Sequence, residues 1–194
     1  MPVMPNIDGD KAELEKYIDE ISRLHTQPPD PTSLLLLKGH ALVDDWLERY
    51  IRLANSSKPV PLNHRYLQPL NEGLTHFFSS PRPQIQISDG FISKLRDIES
   101  LKMLPTYLEE ALEQMNKVRN DYAHDFNTRV GRSQIDSILN SLIEVQGWKD
   151  LYEKRRASFK GNQDLLGFVF EIIITELLMR HTAITRLNKE LFQK

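Results

Sequence analysis

Cysteine is absent from this chain of 194 residues. Its absence excludes a disulfide scaffold, a thiolate zinc site, a cysteine nucleophile and thiol redox chemistry. Glycine is sparse, at 8 residues, and none of them builds G-x(4)-G-K-[ST], G-x-G-x-x-G or G-x-S-x-G; H-E-x-x-H is missing as well. The usual nucleotide-binding, hydrolase and zinc-protease signals are therefore gone, and no cofactor is expected. Charge of one sign does not dominate: 25 Lys and Arg face 27 Asp and Glu, for a net charge of −2. Nucleic acid would have to be held by a local patch rather than by overall charge. The longest apolar run, Leu165–Met179, is broken by Glu171, Thr175 and Glu176. It falls short of the roughly 20 apolar residues that a bilayer crossing requires. Met1–Pro5 and the acidic stretch Asp8–Glu20 do not resemble a secretion signal. A cytoplasmic, soluble protein with no membrane partner is expected.

What is present is helical periodicity. Hydrophobic residues make up 40% and charged residues 27%, enough for one domain with a real core. Leu14, Ile18, Ile21 and Leu24 recur at spacings of three and four, predicting a helix over Asp10–His25 that Pro28, Pro29 and Pro31 stop. Residues 1–31 thus read as an N-terminal helix and linker, and 32–194 as a helical bundle. Thr32 or Ser33 would cap the next helix, which runs to about Ala54. Residues 55–87 carry Pro59, Pro61, Pro69, Pro81 and Pro83, which rule out a long helix and predict an irregular insertion. A short helical piece is expected around Leu70–Phe78, and extended chain over Gln84–Ile87. Ser88 is expected to cap Asp89–Ser100, and Pro105 suits the first turn of a helix to about Phe126. Gly131–Ser133 start another helix, stopped at Gly147, and a last helix or broken pair spans Asp150–Phe192. The fold class is all-α.

One constellation carries chemistry. The helix ending near Phe126 contains Arg119-Asn120-Asp121-Tyr122-Ala123-His124. At about 100° per residue Asn120 and His124 share a face, whereas Arg119 lies about 140° from His124. Arginine offers a permanent cation whose planar fork matches phosphate. Histidine moves protons near neutrality, and asparagine can hold an imidazole tautomer or donate to a phosphoryl oxygen. Together they suffice for RNA cleavage without a metal: a histidine deprotonates the 2′-hydroxyl while arginine stabilises charge developing on phosphorus. A second histidine, needed on the leaving oxygen, would come from a two-fold dimer. The structural alternative is that Arg119 and His124 answer the helix dipole, and that Arg119 pairs with Asp121, Asp125 or Glu113.

The Arg119–His124 stretch resembles the R-x(4–6)-H signature of the HEPN superfamily, with a polar residue after the arginine and a small one before the histidine. Leu34–Leu37 followed by Lys38-Gly39-His40-Ala41-Leu42-Val43-Asp44 is similar to the opening core helix of HEPN-like bacterial proteins. The helix order and the tail Leu187–Lys194 resemble the mannitol operon repressor family. The likeness spans roughly residues 33–145 with a weaker tail match, and assigns no role to Tyr66–Phe78. It implies an all-α bundle with the motif late in a core helix. It further implies a dimeric, metal-independent endoribonuclease of toxin or defence type, with Arg119 and His124 as catalytic residues and Asn120 as their polar helper. An antitoxin or regulatory protein would be its partner. The mannitol-repressor likeness implies instead a non-catalytic regulator acting through protein contacts or weak nucleic-acid binding. No helix-turn-helix with a basic recognition helix supports specific DNA readout.

Other candidates are weaker. His40 and Asp44 have the spacing of two metal ligands on one helix face, but no third ligand is indicated and a surface hydrogen bond is the simpler expectation. His64 and His76 lack a partner motif; His25 and His181 are expected to face solvent. Lys154, Arg155, Arg156 and Lys160 read either as a solvated face or as a phosphate groove, with Trp148, Tyr152 and Phe159 as stacking surface. The Leu165–Met179 helix is apolar nearly all round, so it is either the central core helix or one shared between the core and a second subunit.

Overall fold

The structure, a computed structural model, describes residues 30–59, 72–80, 84–124 and 129–192. The helix expected over Asp10–His25 and most of the proline-rich stretch lie outside them. Seven α-helices occur among the described residues: α1 (Pro31–Ser56), α2 (Glu72–Ser79), α3 (Phe91–Ser100), α4 (Thr106–His124), α5 (Arg132–Leu142), α6 (Gln146–Arg155) and α7 (Asn162–Phe192). A single 3₁₀ turn, Arg156–Ser158, follows α6. The described residues contain no strand, and none of their helices is long and apolar enough to cross a membrane.

Helical stripes build the core among the described residues. α4 buries Leu108, Ala111, Leu112, Met115, Val118 and Tyr122, which its 3.6-residue period aligns on one side. α5 adds Ile135, Ile138, Leu139 and Leu142, and α3 adds Phe91, Leu95 and Ile98. α1 lies against α3, α4 and α7, while α5 joins α4 to α7. The apolar α7 is the central core helix, with Leu165, Leu166, Val169, Ile172, Ile173 and Leu177 fully buried. Leu178 and Met179 remain 49% and 63% exposed. Tyr50 ties α1 to α7 by donating its hydroxyl to the Leu177 carbonyl at 2.7 Å, and burial raises its pKa. α6 buries no residue and runs along the outside.

Several element ends differ from the sequence expectation for identifiable reasons. Asp30, rather than Thr32 or Ser33, caps α1: its Oδ2 accepts from the Ser33 amide at 3.1 Å, which lets Pro31 take the first helical position. Both Thr32 and Ser33 are buried inside the first turn. Gly90, not Ser88, occupies the N-cap of α3, its carbonyl accepting from the Lys94 amide at 3.0 Å. Gly147 does not stop α5. The chain turns at residues 143–145 and Gly147 lies in the first turn of α6, where a glycine costs little because those amides have no helical acceptor. The final segment is the broken pair: the break falls at residues 159–161, where the Lys160 amide donates to Asp164 at 2.9 Å.

Four acidic residues meet where α3 ends and α4 begins. Burial, then Glu99, Glu113 and Glu110, push the Glu109 carboxyl up to about 7 from its ordinary 4.5. Because the folded state holds this proton more tightly, the group adds stability below pH 4.5 and loses it as pH rises through 7. Glu109→Gln is therefore expected to melt higher than wild type at pH 8, with the gap closing at pH 5. Equal melting temperatures at pH 8 would contradict this.

Candidate functional site

On α4, Asn116, Arg119 and Asn120 follow one another at i, i+3 and i+4, so they share a face. That face meets α1 at His40. The His40 Nε2–H donates to Asn116 Oδ1 at 3.1 Å, and Asn116 is 8% exposed, a polar side chain within the core stripe of α4. The His40 ring packs on Phe91 of α3, with ring centroids 4.4 Å apart. His40 has its pKa lowered, by burial first and then by Arg119, against the opposing pull of the Asn116 hydrogen bond and Asp44. Arg119 therefore belongs electrostatically to the same seam.

Arg119 is half-buried and donates from Nη1 to Asn120 Oδ1 at 3.0 Å. Among the described residues it has no carboxylate within ion-pair distance, so the pairing with Asp121 or Glu113 does not form; Asp125 lies outside the described residues. A neutral amide oxygen orients the guanidinium without cancelling its charge. His124, the last residue of α4, is exposed and one turn beyond Asn120. The chain thus brings Arg119 and Asn120 into contact, while His124 makes no hydrogen bond to either.

Beside this seam, Lys94 is 2% exposed, its Nζ 2.8 Å from Asp44 and 3.0 Å from Glu48. Burial works against its charge, but the two hydrogen-bonded carboxylates outweigh that and raise its pKa. The triad pins α3 to α1 through Asp44 Oδ2. His40 bonds to Asn116 and not to Asp44, and no three potential metal ligands gather among the described residues.

Both arginines of the basic segment are ion-paired. Arg155 lies 2.7 Å from Glu171 and 5.0 Å from the Phe168 ring centroid, and Arg156 lies 3.0 Å from Glu153. Lys154 and Lys160 are exposed. Tyr152 stacks on Phe159, both rings lie tilted against Phe168, and Trp148 donates to Glu176 at 2.6 Å. Exposed ion pairs of this kind are worth about 1 kcal/mol or less, so a phosphate could displace them. His181, expected in solvent, is half-buried and sits edge-on to Trp46 and Tyr50. Its burial, and then Arg49, lower its pKa. His76 is exposed beside Ser80; His25 and His64 lie outside the described residues.

The chain matches no protein-family model, no curated protein and no solved structure. The functional reading therefore stands on these side chains. The sequence paired His40 with Asp44, as metal ligands or in a surface hydrogen bond, and not with Asn116. The available signal was Asn116, an amide at a core position of α4 that demands a polar partner from a facing helix.

Proposed function

We propose that this protein is a metal-independent endoribonuclease whose site combines Arg119 and Asn120 of one chain with His124, completed by a second copy. The observation that carries the reading is the half-buried Arg119, oriented by the Asn120 amide oxygen and free of any carboxylate partner among the described residues. A guanidinium held this way is matched to an anion that arrives from outside. In the proposed reaction His124 takes the 2′-hydroxyl proton, that oxygen attacks phosphorus, and the 5′-oxygen leaves with a proton from the second copy's histidine. Arg119 stabilises the charge on the phosphoryl oxygens. Leu178 and Met179, uncovered on α7, support a self-associating chain. The HEPN resemblance adds a toxin- or defence-like role and a protein antitoxin.

The experiment that tests this arrangement dilutes wild-type chains with His124→Ala, the two unfolded and refolded together at fixed total concentration. A dimer with a single His124 lacks either the base or the acid, so RNA cleavage is expected to fall as the square of the wild-type fraction. A fall linear in that fraction would overturn the shared site.

The second reading is a non-catalytic regulator working through protein contacts. The paired state of Arg155 and Arg156 favours it, since this surface presents less open cationic charge than the sequence suggested.

A further inference from the structure

The proposed reaction uses Arg119, Asn120 and His124 and leaves His40 without a task. Yet His40 lies in the seam between α1 and α4 with Arg119, and its bonding prepares it to change charge without moving. Its Nε2–H is engaged by Asn116 Oδ1, which fixes the tautomer and leaves the lone pair on Nδ1. A proton added at Nδ1 would keep the Asn116 bond intact, and the stack on Phe91 would hold the ring in place.

The charges facing this ring come from all three surrounding helices. Arg119 of α4 and Lys94 of α3 oppose a positive ring, and Asp44 of α1 favours it. Lys94 is held between Asp44 and Glu48, which leaves Arg119 as the cation of the seam without a carboxylate partner among the described residues.

We propose that Arg119 and His40 together bind a phosphodiester of an RNA backbone at this seam, and that His40 takes up a proton as the phosphate docks. A phosphate against the guanidinium cancels much of Arg119's opposition and adds negative charge of its own. Both changes favour the imidazolium. Linkage makes the effect reciprocal, so a protonated His40 tightens the phosphate and affinity rises as pH falls through the His40 titration. This inference rests on Arg119 as a phosphate contact, in keeping with the nuclease reading, but not on cleavage.

The test uses the full chain and a short 2′-O-methyl oligoribonucleotide. The blocked 2′-oxygen prevents cutting, and the phosphodiesters keep their charge through the neutral range. Binding is expected to tighten on acidification by about tenfold for each unit by which the oligonucleotide raises the His40 pKa. The His40 ring C–H resonance, assigned by its loss in His40→Gln, should titrate at higher pH in the complex than in the free protein. His40→Gln retains an N–H for Asn116 but cannot titrate, so the pH dependence of binding should flatten. A His40 resonance that titrates identically with and without oligonucleotide would overturn the inference, and it can be read on wild type even if the variant misfolds. RNA cleaved by a protein whose His40 does not respond would reject this role and keep the nuclease. Proton uptake at His40 without cleavage would support this role and reject the nuclease.

Discussion

His124→Ala is expected to lower RNA cleavage by about 10²–10⁴-fold, the usual loss on removing one general acid–base group, with little change in melting temperature. The small structural effect follows from its place: His124 is exposed at the last position of α4 and supports no part of the core. Cleavage rates and thermal melts on the same preparation separate the two quantities. A variant that cuts RNA as fast as wild type would remove His124 from the mechanism. Arg119→Ala should lose a comparable factor, about 3–4 kcal/mol of transition-state stabilisation. Its half-buried position also makes a modest stability loss expected.

The largest effect on folding is expected at Gly39. An added Cβ there would sit 2.2 Å from Cζ of Phe170 and 2.4 Å from its two Cε atoms. The ring end thus occupies the space that a side chain on α1 would fill, which is what lets α1 and α7 pack closely. Phe170 is itself 7% exposed and has little room to swing away. Alanine would improve helix propensity by about 1 kcal/mol, but overpacking of a filled core typically costs about 1–3 kcal/mol. Gly39→Val, with a branched side chain and poorer helix propensity, should be worse than alanine. At about 2–4 °C per kcal/mol for a chain of this size, Gly39→Val is expected to melt many degrees below wild type. Pairing Gly39→Ala with Phe170→Leu should recover part of the loss, because the shorter side chain vacates the contested volume. Recovery would be absent if the damage came from elsewhere. Since Gly39 precedes His40, the same close approach also fixes where the histidine enters the seam.

The two outcomes illustrate what a sequence discloses. The stripes of α3, α4 and α5 could be read directly, because helical period alone decides which side chains point inward. The ends of α1 and α5 could not. Whether Asp30 or Ser33 caps depends on which side-chain oxygen reaches a free amide, and both residue types suit the role. Gly147 looked like a stop, yet a glycine in a first turn disturbs no helical hydrogen bond. At the site, the contact between Arg119 and Asn120 joins neighbours in sequence, but choosing it over Asp121 or Glu113 required the rotamers. The His40–Asn116 bond joins residues 76 positions apart, and helical periodicity within one segment carries no information about such a pair. The apolar character of Leu165–Met179 was plain from the start. That the helix is central to its own core, with Leu178 and Met179 left at the surface, depended on how α1 and α5 close around it.

Metal-independent cleavage is tested by incubating purified wild-type protein with a mixed set of RNAs in excess EDTA, with a 2′-O-methyl RNA and Arg119→Ala as controls. Unmodified RNA alone is expected to be cut, with products ending in a 2′,3′-cyclic phosphate, and the variant is expected to cut nothing. Unmodified RNA left intact by wild-type protein, both in EDTA and with divalent metal restored, would contradict it.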